Sequence, residues 1–319
     1  MTTRIHVERA SACNGGFSLR PERVLKHPLQ AKARSTVLFL FFLSTASAQE
    51  IHVLPVQGNV YMLVGDGGNI TVQAGPEGVL VVDTQSAAAA PKVRAAIRTI
   101  SDKPILWMIN TSLDPDHTGG NEALAQRQAR VIAHEKVLDR LVNAPSRYAE
   151  AGTLNDTYDA ASKDFLFNGE AVVVYHIPSA HTDGDSMVFF RRSDVLSVGD
   201  VFTPDRYPAI DLQNGGSVQG LLDGLNRILD LAVAGRYQEG GTFVIPGHGR
   251  LCDEADVVEF RDMVRIITDR VEDLIKKGMT LAQVKAAKPS RDYDTQYVEP
   301  GGWTGDMFVE AVFKSLTAK

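Results

Sequence analysis

The chain has 319 residues and a mass of 34.7 kDa, with 44% apolar and 23% charged residues, 27 glycines and 14 prolines. That composition excludes a disordered, collagen-like or disulfide-stapled chain. The net charge of −6 and pI near 5.8 give no electrostatic reason to expect a nucleic-acid partner. Two cysteines, Cys13 and Cys252, are too few for a thiolate metal site, so any metal chemistry falls to carboxylates and to the 8 histidines.

Val37–Leu43 is an unbroken apolar run, with Lys32 and Arg34 before it and Ala46-Ser47-Ala48 after it. Positive flank, short apolar stretch and small-residue end are the parts of a secretory signal peptide. The run is too short to span a membrane, which takes about 20 residues. Residues 1–48 are therefore expected to be a signal peptide or N-terminal leader, and 49–319 the working domain. This predicts an exported protein, periplasmic or secreted, with no stable membrane insertion once the leader is removed. Cys13 leaves with the leader, and Cys252 reads as a small buried hydrophobe.

From Ile51 the sequence reads as short strands over 51–54, 59–64 and 69–74, with the turn signal Gly65-Asp66-Gly67-Gly68 marking a hairpin. Gly78–Asp83 is a buried-strand run that closes on a carboxylate. A helix is predicted at 91–100 and a buried strand at 104–109, leading into Asn110-Thr111. Helix, strand and helix follow at 123–127, 130–133 and 135–142, then an irregular stretch over 144–162. Further strands are expected at 171–177, 186–190 and 195–198, an amphipathic helix at 217–233 and a strand at 242–245. The long helix 253–277 and a last one at 306–316 close the chain. There are no repeats and no linker, so 49–319 reads as one α/β domain in two halves. The early hairpins argue against a doubly wound parallel sheet.

Three histidines stand in polar, glycine-rich loops just after predicted strands, where a rigid scaffold can aim side chains at one point. His117 lies in Asp114-Pro115-Asp116-His117-Thr118-Gly119-Gly120, His181 in Ser179-Ala180-His181-Thr182-Asp183-Gly184, and His248 in Pro246-Gly247-His248-Gly249. A fourth loop of the same form carries Asp200. Imidazole and carboxylate are the usual ligands of zinc and its neighbours where thiolates are absent. His52, His134 and His176 fall in or beside predicted elements and read as structural.

The four stations, in this order, resemble the metallo-β-lactamase-fold hydrolase superfamily, and the likeness covers essentially all of residues 49–319. It implies a four-layer αββα sandwich with metals at one edge of the two sheets. The first station departs from the family pattern H-x-H-x-D-H: here it is Ser112-Leu113-Asp114-Pro115-Asp116-His117. Carried over residue by residue, one metal position keeps Asp116, His117 and His248, with Asp200 bridging. The other is reduced to Asp114, His181 and Asp200. The resemblance implies one firm zinc site and a weaker second one. Two carboxylates and one imidazole there suit Mn²⁺ or Fe²⁺ as well as zinc.

Three carboxylates rather than the family's two make the site more negative, which weakens the acidification of bound water. The expected activity is metal-dependent hydrolysis of a small molecule, with activated water attacking an ester, lactone, β-lactam or similar bond. Asp116 and Asp114 are the expected catalytic carboxylates, Asp114 as general base where it does not ligate. The alternative is a degenerate member that binds a ligand or partner without turnover. Ser112 as a covalent nucleophile is a weaker third reading, since no orienting His–Asp pair adjoins it in sequence. The loop 205–217 and the segment Tyr148–Tyr158 are candidate cleft walls, and the C-terminal run with Trp303 is open to packing on either the core or the site. Substrate and oligomeric state are left open by the sequence.

Overall fold

The computed structural model describes residues 50–65, 67–125, 128–143, 152, 154–297 and 302–318. The expected leader, Cys13 and Tyr148 lie outside them. The first half of the domain contains β1 (His52–Gln57), β2 (Val60–Gly65), β3 (Gly68–Ala74), β4 (Val79–Val82), α1 (Ala90–Ile100), β5 (Ile105–Ile109) and two short helices, α2 (Pro115–Thr118) and α3 (Asn121–Leu124). It ends with β6 (Arg130–His134), α4 (Glu135–Asn143) and β7 (Asp156–Tyr158). The second half runs β8 (Ser162–Phe167), β9 (Glu170–Ile177), β10 (Asp185–Phe190), β11 (Val195–Ser197), α5 (Val218–Leu231), β12 (Phe243–Ile245), α6 (Glu254–Lys276), α7 (Leu281–Ala286) and α8 (Gly305–Thr317).

Two sheets result. In the first, strands β1 to β7 lie in sequence order, antiparallel through β4 and parallel from β4 to β7. In the second the order is β12-β11-β10-β9-β8, antiparallel except for the β11–β12 pair. Alternation along the strands sends one set of side chains inward and the other outward. Val60, Met62, Leu80, Val82, Ile109 and Ile132 of the first sheet meet Val172, Val174, Val188 and Phe190 of the second in a dry central layer. The opposite face of the first sheet buries Ile70, Val72, Val79 and Val81 under Val93, Ala96 and Ile97 of α1. The outer face of the second sheet is covered by α5, α6 and α8, through residues such as Leu225, Phe260, Val264 and Phe308. The layers are helix, sheet, sheet, helix, which is the expected αββα sandwich.

The structure corrects the expectation for 144–162. Asp156–Tyr158 pairs in parallel with β6, and Ser162 opens β8. β7, at three residues, is too short for a periodicity argument, and β8 reads Ser-Lys-Asp-Phe-Leu-Phe, with no clean alternation of apolar and polar residues. The helix α7 was also not anticipated; at six residues it is held by a Thr280–Gln283 capping box rather than by an apolar stripe. Cys252 is buried and unpaired, and burial raises its thiol well above the usual range.

Candidate metal centre

Loops leaving the C-terminal ends of β4, β5, β9, β11 and β12 converge at one edge of the sandwich. Asp114 precedes α2, and Asp116 and His117 lie within it. His181 follows β9, Asp200 sits in a single 3-10 turn after β11, and His248 follows β12. The fold thus brings all six sequence-predicted side chains together. One ligand atom each from Asp116, His117 and His248 lies within 4.8 Å of the others, and the same holds for Asp114, His181 and Asp200.

Several distances are those of a ligand cage. His248 Nε2 is 3.2 Å from Asp116 Oδ2 and 3.6 Å from Asp200 Oδ1; His117 Nε2 is 3.4 Å from Asp200 Oδ2 and 4.0 Å from Asp116 Oδ1. The edge of a tetrahedron with ligand bonds of about 2.0 Å is about 3.3 Å. Asp200 therefore faces both groups, one oxygen toward each histidine of the first. His117 Nε2 and Asp200 Oδ1 are fully buried and have no hydrogen-bond partner. A buried polar atom without a partner is costly, and two such atoms facing one point fit a cation.

His117 is aimed by residues the sequence reading did not count among the ligands. Asp83 ends β4 with a left-handed φ of 63°, which turns its carboxylate across the end of the sheet. Its Oδ1 accepts from the Thr111 amide at 2.8 Å, and its Oδ2 accepts from Thr111 Oγ1 at 2.7 Å. The same Oδ2 lies 2.8 Å from His117 Nδ1 and holds the ring's proton there, which would leave Nε2 as the lone-pair donor once an ion takes the place of its second proton. The His117 carbonyl accepts from Asn110 Nδ2, the Thr84 amide and Thr84 Oγ1, at 2.8, 2.9 and 3.1 Å. The sequence signal for Asp83 was a carboxylate closing an otherwise apolar strand.

The other loops are clamped similarly. Asn69 donates from its side chain to the carbonyls of Pro246 and Gly249, and its amide donates to that of Gly247 at 2.8 Å, fixing the His248 turn. Gly247 is required there, because a Cβ would overlap Asp200 Oδ1. His181 Nδ1 lies 2.9 Å from the Ala209 carbonyl, which accepts its proton, and its Nε2 is 2.8 Å from Asp114 Oδ2. Ser112 Oγ accepts from the Asp114 amide at 3.3 Å, the role of a turn residue.

In this cluster, burial acts against charge and the opposite charges win. Burial alone would raise the Asp200 carboxyl, but His117, His248 and His181 hold it well below the carboxylate range. Asp116 is lowered against its own burial by His117 and His248. Burial would lower His117, yet Asp83, Asp200 and Asp116 raise it well above 6.5. His181 likewise rises to about 10, through its hydrogen bond with Asp114 and the nearby Asp185. Asp185, held by Thr182, is pushed up by burial to about 6.

The model of the metallo-beta-lactamase superfamily matches residues 54–248. The chain belongs to that superfamily. Among relatives of this metallo-beta-lactamase-superfamily chain, a linear primary-alkylsulfatase of Pseudomonas sp. (strain ATCC 19151) is 36% identical over 90 residues, 26% of this chain and 17% of the relative. The structure of a stereoselective inverting sec-alkylsulfatase from Pseudomonas sp. superposes with a TM-score of 0.65 at 16% identity, covering 83% of this chain and 50% of that one. The DIM-1 metallo-beta-lactamase gives a TM-score of 0.55 at 18% identity, covering 68% of this chain and 97% of the other. The chain thus spans about half the length of the sulfatase structures it matches and only a small share of the curated relative.

The six residues line or adjoin a cavity of about 340 Å³, whose walls include Thr203, Arg206, Ala209 and Trp303. Of the two candidate cleft walls, the 205–217 loop is thereby located through Arg206 and Ala209, and Trp303 falls on the side of the site. Tyr158, in contrast, is buried against His134 and donates to or accepts from Ser186 Oγ at 2.7 Å. His134 and His176 stack on each other at 3.6 Å, away from the six.

Proposed function

We propose that this domain is a metal-dependent hydrolase of a small ester-like substrate. The observation that carries the reading is the convergence of six imidazole and carboxylate side chains in two groups, with His117 Nε2 and Asp200 Oδ1 buried and unpaired between them. Asp116, His117 and His248 would hold the firmer ion, zinc, with Asp200 shared. Asp114, His181 and Asp200 would hold the second, where zinc, Mn²⁺ or Fe²⁺ fits the oxygen-rich set. Divalent ions there supply a Lewis acid and a hydroxide source near neutral pH.

The chain's own residues do the rest. Asp83 keeps His117 in one tautomer, and the Ala209 carbonyl does the same for His181. Asp116, which borders the cavity and is partly exposed, is placed to take the proton of the attacking water and return it to the leaving group. Asp114 takes that part when it is not ligating. The bond cleaved is an ester, lactone, β-lactam or similar one, and the local likeness to alkylsulfatases adds sulfate esters to that set. Among the described residues no helix is long and apolar enough to cross a membrane. The signal-peptide pattern read in residues 1–48 supports export to the periplasm or exterior.

A second reading rests on the first station: with Ser112 and Asp114 in place of two imidazoles, the site is a degenerate one that binds without turnover. Metal analysis of purified protein, with an ester, lactone, β-lactam and sulfate-ester panel under added Zn²⁺, Mn²⁺ or Fe²⁺, separates the two. Chelator-sensitive turnover that Asp116→Ala abolishes is the expected result. A protein that binds no transition metal, with no activity to lose on Asp116→Ala, would overturn the hydrolase reading.

A further inference from the structure

A second, larger cavity of about 650 Å³ adjoins the metal-site cavity, and His181, Ala209 and Trp303 line both. That volume is in the range of small-molecule sites. One wall is the strap 209–213, where half-buried Leu212 lies over the buried Ile210. The other is the stripe Met307, Ala311 and Lys314 of α8, with Trp303 continuing it toward the metal centre. Residues spaced this way share one helical face, so the groove runs along the helix axis. At 1.5 Å per residue, Met307 to Lys314 covers about 10 Å, the length of roughly eight linear carbons. Asp211, Gln213, Glu310 and Lys314 line the groove as well, and Glu310 is engaged by both Lys285 and Lys314.

The head end differs. Three carboxylates against two divalent ions would leave a single formal positive charge, and Arg206 lines the same cavity. A positive head site opening into a groove that carries Leu212, Trp303, Met307 and Ala311 is complementary to a singly charged anionic amphiphile. Every groove residue on α8 lies beyond residues 54–248, the stretch matched by the superfamily.

We propose that α8 and the 209–213 strap form a tail-binding groove, and that the substrate is an anionic-headed ester with a linear apolar tail of up to about eight carbons. This rests on the hydrolase reading for the ester, but the groove itself is testable without turnover. Linear 1-alkanesulfonates from two to eight carbons carry a suitable head and cannot be hydrolysed at the sulfur–carbon bond. Calorimetric titration into zinc-loaded full chain is expected to show Kd falling about two- to fourfold per added methylene. Met307→Glu, at a side chain already 45% exposed and so safe for folding, is expected to flatten that slope; Met307→Leu restores it. A Kd independent of chain length, sulfonates that do not bind at all, or a slope unchanged in Met307→Glu would overturn the proposal. Turnover of the matching alkyl sulfates and carboxylic esters is measured in parallel. A retained slope with no turnover of any ester supports the groove and counts against the hydrolase reading alone. Turnover without a slope does the reverse.

Discussion

Asp83→Asn is the most discriminating small change in this site. Asn tolerates the left-handed backbone at this position, so the turn after β4 persists. Its Oδ1 can still accept from the Thr111 amide, and its Nδ2 can donate both to Thr111 Oγ1 and to His117 Nδ1, in place of the bonds Asp83 now accepts. Every partner stays satisfied, so little stability is lost. The cost falls on His117. Once Nδ1 becomes an acceptor, the neutral ring carries its proton on Nε2, the atom that faces Asp200 and Asp116. A protonated nitrogen cannot ligate. Losing the partner that orients a histidine ligand weakens metal binding about 10- to 100-fold, or about 1.4 to 2.7 kcal/mol. Competition against a chromophoric chelator reads the first metal equivalent directly, and ¹⁵N spectra of the imidazole ring report the tautomer. If Asp83→Asn binds its first zinc within twofold of the parent and retains an Nδ1 proton, the orientation argument is wrong.

Asp114→His should raise the preference of the second metal equivalent for zinc over manganese on the order of tenfold, because imidazole replaces an oxygen donor; equal ratios in competitive metal titrations would refute the assignment. Phe308 is fully buried on α8 and stacks on Tyr207. Phe308→Ala should therefore cost about 3–5 kcal/mol in denaturant unfolding, and a loss under 1 kcal/mol would mean that α8 is not docked as described. His134 is held down to about 4, chiefly by burial and then by the charges of His176 and Lys136. A histidine kept neutral in the fold binds fewer protons than in the unfolded chain, so its contribution falls as pH drops below 6.5 and levels off below about 4. His134→Phe should thus narrow the fall in Tm between pH 7 and pH 5, and an unchanged gap would contradict the sign.

The candidate metal edge was legible because its signals are local and chemical. Asp200 and His248 each follow a short apolar strand by three residues and His117 follows β5 by eight, and the glycines beside them mark turns that close backbone approach demands, as at Gly247. The central layers were legible for the same reason, since Val79–Val82 and Ile105–Ile109 read as buried strands without any partner in view. What sequence could not supply was distance. Asp83 reaches His117 across 34 positions, and nothing in its neighbourhood says that its carboxylate turns toward β5 rather than capping a helix. Trp303 gave no period at all, and only the folded chain assigns it to both cavities. Strand β7, three residues long, owes its pairing to β6 rather than to its own composition.

These long-range contacts tie the C-terminal helices to the proposed metal ligands. His181 keeps its proton on Nδ1 because the Ala209 carbonyl accepts it. Ala209 belongs to a strap whose Asp211 amide returns to the His181 carbonyl at 2.9 Å and whose Tyr207 is buried under Phe308 and Tyr297. The Tyr207 hydroxyl donates to Asp294 Oδ1 at 2.9 Å and to the Ser290 carbonyl at 3.2 Å. The one imidazole of the weaker metal position is therefore oriented by a segment that α8 and the 290–297 turn hold in place. With Ser112 and Asp114 where two further imidazoles would stand, that position depends on His181 alone for nitrogen ligation. The proposed tail groove and the support of this imidazole share Ala209 and Asp211, so changes in that part of the strap should act on the groove and on the second metal position together.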